Sequence, residues 1–346
     1  MAEPHVLFMV HGMGKAKAGW TKEEGGPIPI LAKAMETYPA LQQDSFEDWF
    51  HPVEVRYDDA FEQYRKMWKE STEDLVKMLD PLAEADKIAK VIRDVAKSME
   101  KPNSDDFLWT HVLDVVLYRF FPIIREDVER TVARAIVDGL NAAGGASRVW
   151  SVMGYSLGSS VTHNTLARLY TGGVPSKGDV YKGDALGKPH SITLIANVSR
   201  VLQRQDLHVF SDVVHPSQGG ICRYYLSARH MFDPLTKPYP SRPSPTNPRF
   251  ANPKRYLPLA PASIYEINVH DLGHYLRDPE VHGAMFQTMI GKDFLTDDQL
   301  ALAKSVYNGA VPDETAHRNK LEPIFASEVD DWTAFVKAAL RYIKVI

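Results

Sequence analysis

The tightest constraint on the fold lies in residues 149–169. Val149-Trp150-Ser151-Val152-Met153 is a short apolar run, Gly154-Tyr155-Ser156-Leu157-Gly158 follows at once, and 159–169 can continue as a helix. A chain that passes from a buried strand to a helix within five residues needs a sharp turn. Two glycines flanking its central position let the strand and the helix approach closely. Five further β-branched or aromatic runs, at 6–10, 53–57, 192–198, 223–228 and 264–269, read as buried strands, and helical patterns separate many of them. Strands and helices in alternation predict an α/β fold, with a mainly parallel central sheet flanked by helices.

A helical stretch interrupts this alternation between the second and third runs. Phe61, Tyr64, Met67 and Trp68, then Leu75, Met78, Leu79 and Leu82, then Ile88, Val91, Ile92 and Val95 recur at helical spacing among charged residues. A helix is also expected over 125–140, stopped by Gly144-Gly145, and another from about Trp332. The expected organisation is therefore a core formed by 1–60 and 123–346, with 61–122 as a helical, cap-like insertion. Nine of the 23 prolines fall in 234–261. That density predicts an extended loop within the core, since proline fits neither a helix interior nor a central strand. A polyproline II docking segment is the alternative for the same stretch.

Composition narrows the function by exclusion. The formal charge is −4, without the basic surplus of a nucleic-acid binder, so no nucleic-acid partner is expected. The single cysteine, Cys222, excludes an intramolecular disulfide framework and a cysteine-based zinc cluster; it reads as a small apolar filler. No run approaches the ~20 apolar residues of a spanning helix, and the N-terminal apolar run lacks a basic leader. The expectation is a cytoplasmic protein with no transmembrane segment and an oligomeric state left open.

The chemistry gathers around Ser156. At the centre of the turn its hydroxyl would stand clear of the sheet's carboxyl edge, as a nucleophile elbow requires. His11-Gly12-Met13-Gly14 follows the first strand, and a glycine-rich turn there can aim a backbone N–H into the same site. The amides of Met13 and Leu157 are the expected oxyanion donors. His11 and Tyr155, beside these two, are expected to face the substrate. A serine nucleophile needs a base, and the base needs an orienting carboxylate, in the chain order Ser, Asp or Glu, His. Asp233, shortly after the run at 223–228, is the favoured acid, with Asp212 as a weaker rival. His270 and His274 both follow the run at 264–269. His274 is favoured, because Gly273-His274 leads into Asp278-Pro279-Glu280 and a helix, and His270 is the alternative base.

Other chemistry fits less well. His270 and His274 have the i, i+4 spacing of a helical metal pair, but the glutamate of His-Glu-x-x-His is missing, so no metal is expected. Lys15 follows Gly14 without the spacing of a phosphate loop. His163 reads as structural.

Taken in order, His11-Gly12-Met13-Gly14, Gly154-Tyr155-Ser156-Leu157-Gly158, Asp233 and His274 resemble the α/β-hydrolase superfamily. The opening, through Gly19-Trp20, is similar to a lipase-like bacterial subgroup. Tyr155 stands where lipases and that subgroup often have histidine. The resemblance implies an α/β-hydrolase fold and a serine hydrolase cleaving carboxylic esters through an acyl-enzyme, as a carboxylesterase or lipase-like enzyme without cofactor. Thioester, amide or carbon–carbon hydrolysis on the same triad is the alternative reaction, and a non-catalytic interaction protein the alternative class. The aromatic residues of the insertion suggest a small ester substrate with an apolar acyl or aromatic part.

Overall fold

The computed structural model describes residues 3–70, 114–115, 117–176, 178–199, 213–236, 247–292, 294–311, 314–325 and 341–342. Among the described residues, six strands form one sheet: β1 (His5–Val10), β2 (Phe50–Val55), β3 (Trp150–Tyr155), β6 (Ser191–Ile195), β7 (Tyr224–Ala228) and β8 (Tyr256–Leu259). Their order is β2-β1-β3-β6-β7-β8, and every neighbouring pair is parallel. A separate antiparallel hairpin joins β4 (Val174–Ser176) to β5 (Asp179–Tyr181). The protein is thus an α/β protein with a parallel central sheet flanked by helices.

Every residue of β1 is buried. Successive side chains on a strand point to opposite faces, so this burial means that both faces of the sheet are covered. Val6, Phe8 and Val10 pack into one core with Val128, Val132, Ile136 and Leu140 of helix α4 (Pro122–Ala142). Leu7 and Met9 enter a second core with Leu31 and Met35 of α1 (Pro27–Met35) and with Val281, Met285 and Phe286 of α7 (Pro279–Met289). Each such side chain contributes about 1.5–3 kcal/mol when fully buried. The helix expected at 125–140 begins earlier, because Pro122 occupies its first turn, where a missing N–H costs nothing. Its stop is Gly144, at φ 116°.

One expected strand is not formed. Residues 264–269 are irregular, and the sixth strand is instead Tyr256–Leu259, inside the proline-rich stretch expected to be a loop. The reason lies in the sheet order. Among the described residues β8 is an edge strand, paired only with β7, and Pro258 sits opposite Ser227; an edge strand tolerates a residue without an N–H. Ile264 and Val269 are fully buried all the same, so their apolar character reflects packing beneath a loop rather than a strand. Of the proline-rich stretch, residues 237–246 lie outside the described residues. So do 71–113 of the helical insertion, Asp212, and most of the C-terminal helical stretch apart from 341–342.

The sheet order also locates the functional edge. From β1 the chain moves to β2 on one side, and β3 lies on the other, so the connections diverge between β1 and β3. Open parallel sheets bind ligands outside the carboxyl ends of the strands at such a point. The register pairs Val10 with Gly154 and Tyr155 with Ile195, which brings His11 and Ser156 out side by side. Among the described residues, no helix is long and apolar enough to cross a membrane.

Candidate active site

Ser156 is the residue between β3 and helix α5 (Leu157–Thr171), and its backbone has φ 52° and ψ −122°. A non-glycine residue held there stores roughly 1–3 kcal/mol of strain. The turn is enforced by close packing. A Cβ on Gly158 would collide with the carbonyl oxygen of His11, and one on Gly154 would lie 2.6 Å from both the Gly158 carbonyl oxygen and Thr162 Oγ1. Ser156 N–H donates to the Ile195 carbonyl at 2.9 Å, which fixes the turn to the neighbouring strand. The hydroxyl is left at the amino end of α5, where the first-turn amides have no acceptor within the helix.

Ser156 Oγ lies 2.8 Å from His270 Nε2, and His270 Nδ1 lies 2.7 Å from Asp233 Oδ2. All three side chains are buried. Burial alone would raise the Asp233 carboxyl. The facing His270 ring and hydrogen bonds from His270, Tyr275 and the Leu235 N–H outweigh it and hold the carboxyl below its ordinary value. An ionised carboxylate can only accept, so Nδ1 carries the proton and Nε2 is free to accept the serine proton.

The favoured base, His274, is not at this position, and the correction has a local cause. Asp271 caps the short helix α6 (Leu272–Arg277), accepting from the N–H groups of Gly273 at 2.8 Å and His274 at 3.2 Å. His274 is therefore one helical turn past the loop that carries His270. Its ring packs edge-on against His230 at 4.9 Å, with Nδ1 4.0 Å from Glu266. Burial, then the nearby His230 ring and the Arg277 charge, push His274 down to about 3. A general base needs hydrogen-bond reach of the proton it takes, and His270 has it.

The backbone of His270 is held at both ends. Its N–H donates to Tyr342 Oη at 3.0 Å, and its carbonyl accepts from Tyr155 Oη at 2.7 Å. Tyr155 thus reaches toward the base loop while also lining a cleft with His11 and Lys15. That cleft, of about 280 Å³, is bounded by Gly12, Met13, Trp20, Pro27, Leu272 and the acidic pair Glu23 and Glu24.

On the other side of Ser156, the His11–Gly14 loop is pinned by its carbonyls. Tyr57 Oη lies 2.9 Å from the His11 carbonyl and 2.8 Å from that of Gly12, and His11 Nδ1 lies 2.8 Å from the latter. In a trans peptide the C=O and the following N–H point in opposite directions. Holding the Gly12 carbonyl in the protein therefore turns the Met13 N–H the other way. The Gly14 N–H donates to the buried Asp114 carboxylate at 3.0 Å. His11, expected to face substrate, forms part of the cleft wall, but its Nδ1 meets Gly12 and its Nε2 accepts from the Tyr57 N–H at 3.2 Å. It braces the loop. Tyr57, Tyr275, Tyr342 and Asp114 were absent from the sequence-based expectations, for no local motif marks a residue that acts from another part of the chain.

Among the described residues, no group of three or more His, Cys, Asp or Glu side chains is placed to hold a metal ion. Cys222 is buried, and that burial pushes its thiol up, away from the reactive thiolate. No family model matches the chain, and no curated protein or solved structure is significantly similar to it.

Proposed function

We propose that the protein is a serine hydrolase with an α/β-hydrolase fold that cleaves carboxylic esters through an acyl-enzyme. The observation that carries this reading is the unbroken chain Ser156 Oγ–His270 Nε2, 2.8 Å, and His270 Nδ1–Asp233 Oδ2, 2.7 Å, at a strained strand-to-helix turn. Ser156 Oγ attacks the ester carbonyl carbon while His270 Nε2 takes its proton. The carbonyl electrons move to oxygen, and the Met13 and Leu157 amides stabilise that oxyanion; a single such donor contributes about 3–4 kcal/mol. The oxyanion collapses, the carbon–oxygen bond to the alcohol breaks, and His270 gives its proton to the leaving oxygen. Water then repeats the sequence on the acyl-serine and releases the acid. Asp233 stays ionised throughout, orienting the ring and stabilising its charged form.

The expected substrate is a small ester with an apolar acyl or aromatic part, and no cofactor enters any step. A fluorophosphonate probe, which phosphonylates an activated serine, tests the reading. Wild type should label and should hydrolyse p-nitrophenyl esters, and Ser156→Ala should do neither. An unlabelled but folded wild type, or equal labelling of Ser156→Ala, removes the proposal.

A further inference from the structure

Asp233 does not serve His270 alone. Oδ1 accepts the Leu235 N–H at 2.9 Å, and Oδ2 is shared by His270 Nδ1 at 2.7 Å and Tyr275 Oη at 2.8 Å. The direction of the Tyr275 bond is fixed. Tyr275 Oη accepts the His230 N–H at 2.8 Å, and an ionised carboxylate offers no proton, so the single phenolic proton points at Oδ2. Tyr275 and Asp233 are both fully buried, so water does not compete for this contact. The phenol itself stays protonated, because burial and then the Asp233 charge raise it far above its ordinary value.

We propose that Tyr275 is a positioning residue of this site: by sharing Oδ2 with the His270 ring, its hydroxyl limits how strongly Asp233 attracts a proton onto that ring. The inference rests on the serine-hydrolase reading above. A second donor on Oδ2 draws charge away from the oxygen that faces the imidazole. With less charge there, a proton on the ring is stabilised less. The His230 N–H fixes where the donor points, so the effect is built into the fold.

The surroundings isolate this effect. The other titratable groups facing Asp233 are His230 and His274, from the loop after β7 and from α6, and Tyr155 and Tyr342, from β3 and the C-terminal segment. Burial lowers both histidines and raises both tyrosines, so all four are neutral around pH 7. The carboxylates of Asp271, Glu266, Glu280 and Glu314 lie further out, around Tyr155, Tyr342 and His230, and are unchanged in both variants tested below.

The test is the acid limb of the kcat/KM–pH profile for a p-nitrophenyl ester, measured on the full chain. In Tyr275→Phe the limb should move to higher pH by about 0.5–1 unit, the part of a charged hydrogen bond passed on to the ring. Replacing Tyr275 by 3-fluorotyrosine, whose phenol is the more acidic and stronger donor, should move it to lower pH. A residue that only fills space would shift neither, and opposite shifts cannot arise from general loosening. The fluorotyrosine form keeps the hydroxyl and so covers the case in which Tyr275→Phe fails to fold. Unchanged limbs in both active variants overturn the role of Tyr275 and leave the hydrolase reading intact. A folded wild type without turnover or labelling overturns both, and the two failures are thereby distinguishable.

Discussion

Two turns meet at the candidate site, and they are specified in opposite ways. The elbow at Ser156 is set within a few residues: a buried strand, two glycines against backbone oxygens and side chains, and the amino end of a helix. The loop carrying His270 has no comparable local code. Its carbonyl is held by a tyrosine 115 residues away, its N–H by one 72 residues away, and its ring by an aspartate 37 residues away. A catalytic position fixed by local sterics can be read from a motif. One fixed by distant hydrogen bonds has to be read from the assembled protein.

The sharpest way to break this comparison is to remove, one at a time, the histidine of the second turn and the one in the helix after it. If distant contacts select the base, His270→Ala should lower kcat by about 10⁴-fold or more, as loss of a triad base does. His274→Ala should leave turnover within roughly tenfold of wild type, since its ring packs on His230 and has no bond to Ser156. The measurement is kcat on one ester for both variants, with circular dichroism to establish that each is folded. A large loss confined to His274→Ala would return the base to α6 and remove the contrast between the turns.

The elbow can be tested by sterics alone. Gly158 does not have a positive φ, so alanine suits its backbone, and the obstacles are backbone oxygens of the β1 end, the His11 carbonyl where the Cβ would lie and the Val10 carbonyl 2.8 Å from it. Gly158→Ala must therefore push α5 away from β1. The expected loss is about 1–3 kcal/mol or more, typical of overpacking, read from the urea midpoint, together with loss of the proposed esterase activity because the Leu157 amide moves with α5. An unchanged midpoint would mean that the turn is less tightly specified than its motif suggests.

These particulars show what the sequence made legible. Alternating apolar runs were enough for the parallel sheet, because buried parallel strands are short, nearly continuous apolar segments. They misled at 264–269, where Ile264 and Val269 are buried in an irregular segment, and at 256–259, where proline hid an edge strand. Ser156 and Asp233 were legible through local order and spacing. The choice between His270 and His274 was not, since Gly273-His274 before a helix looks like a base loop until the Asp271 cap fixes where the helix begins. The tyrosines at 57, 275 and 342 act through single hydroxyls on remote atoms, and a hydroxyl's partner leaves no trace in its own sequence neighbourhood.

The remaining contrast is between His270, hydrogen-bonded at both ring nitrogens, and His274, whose Nδ1 is buried without a hydrogen bond. A ring pushed down to about 3 in the folded protein titrates near 6.5 once unfolded. Above 6.5 neither state binds the proton, and the folded protein keeps its full stability. As pH falls from 6.5 toward 3, the unfolded chain takes up a proton that the folded chain refuses, so stability falls. His5 and His282, each lowered to about 4, add the same sign over most of that range. Removing one share should therefore flatten the slope without abolishing it. His274→Leu should unfold in urea close to wild type at pH 7 and be more stable than wild type at pH 5, by about 2 kcal/mol. Equal slopes for the two proteins between pH 5 and 7 would mean that this ring is not held neutral by burial. The distinction between a histidine bonded at both ring nitrogens and one whose Nδ1 is buried without a hydrogen bond, four residues apart, would then be lost.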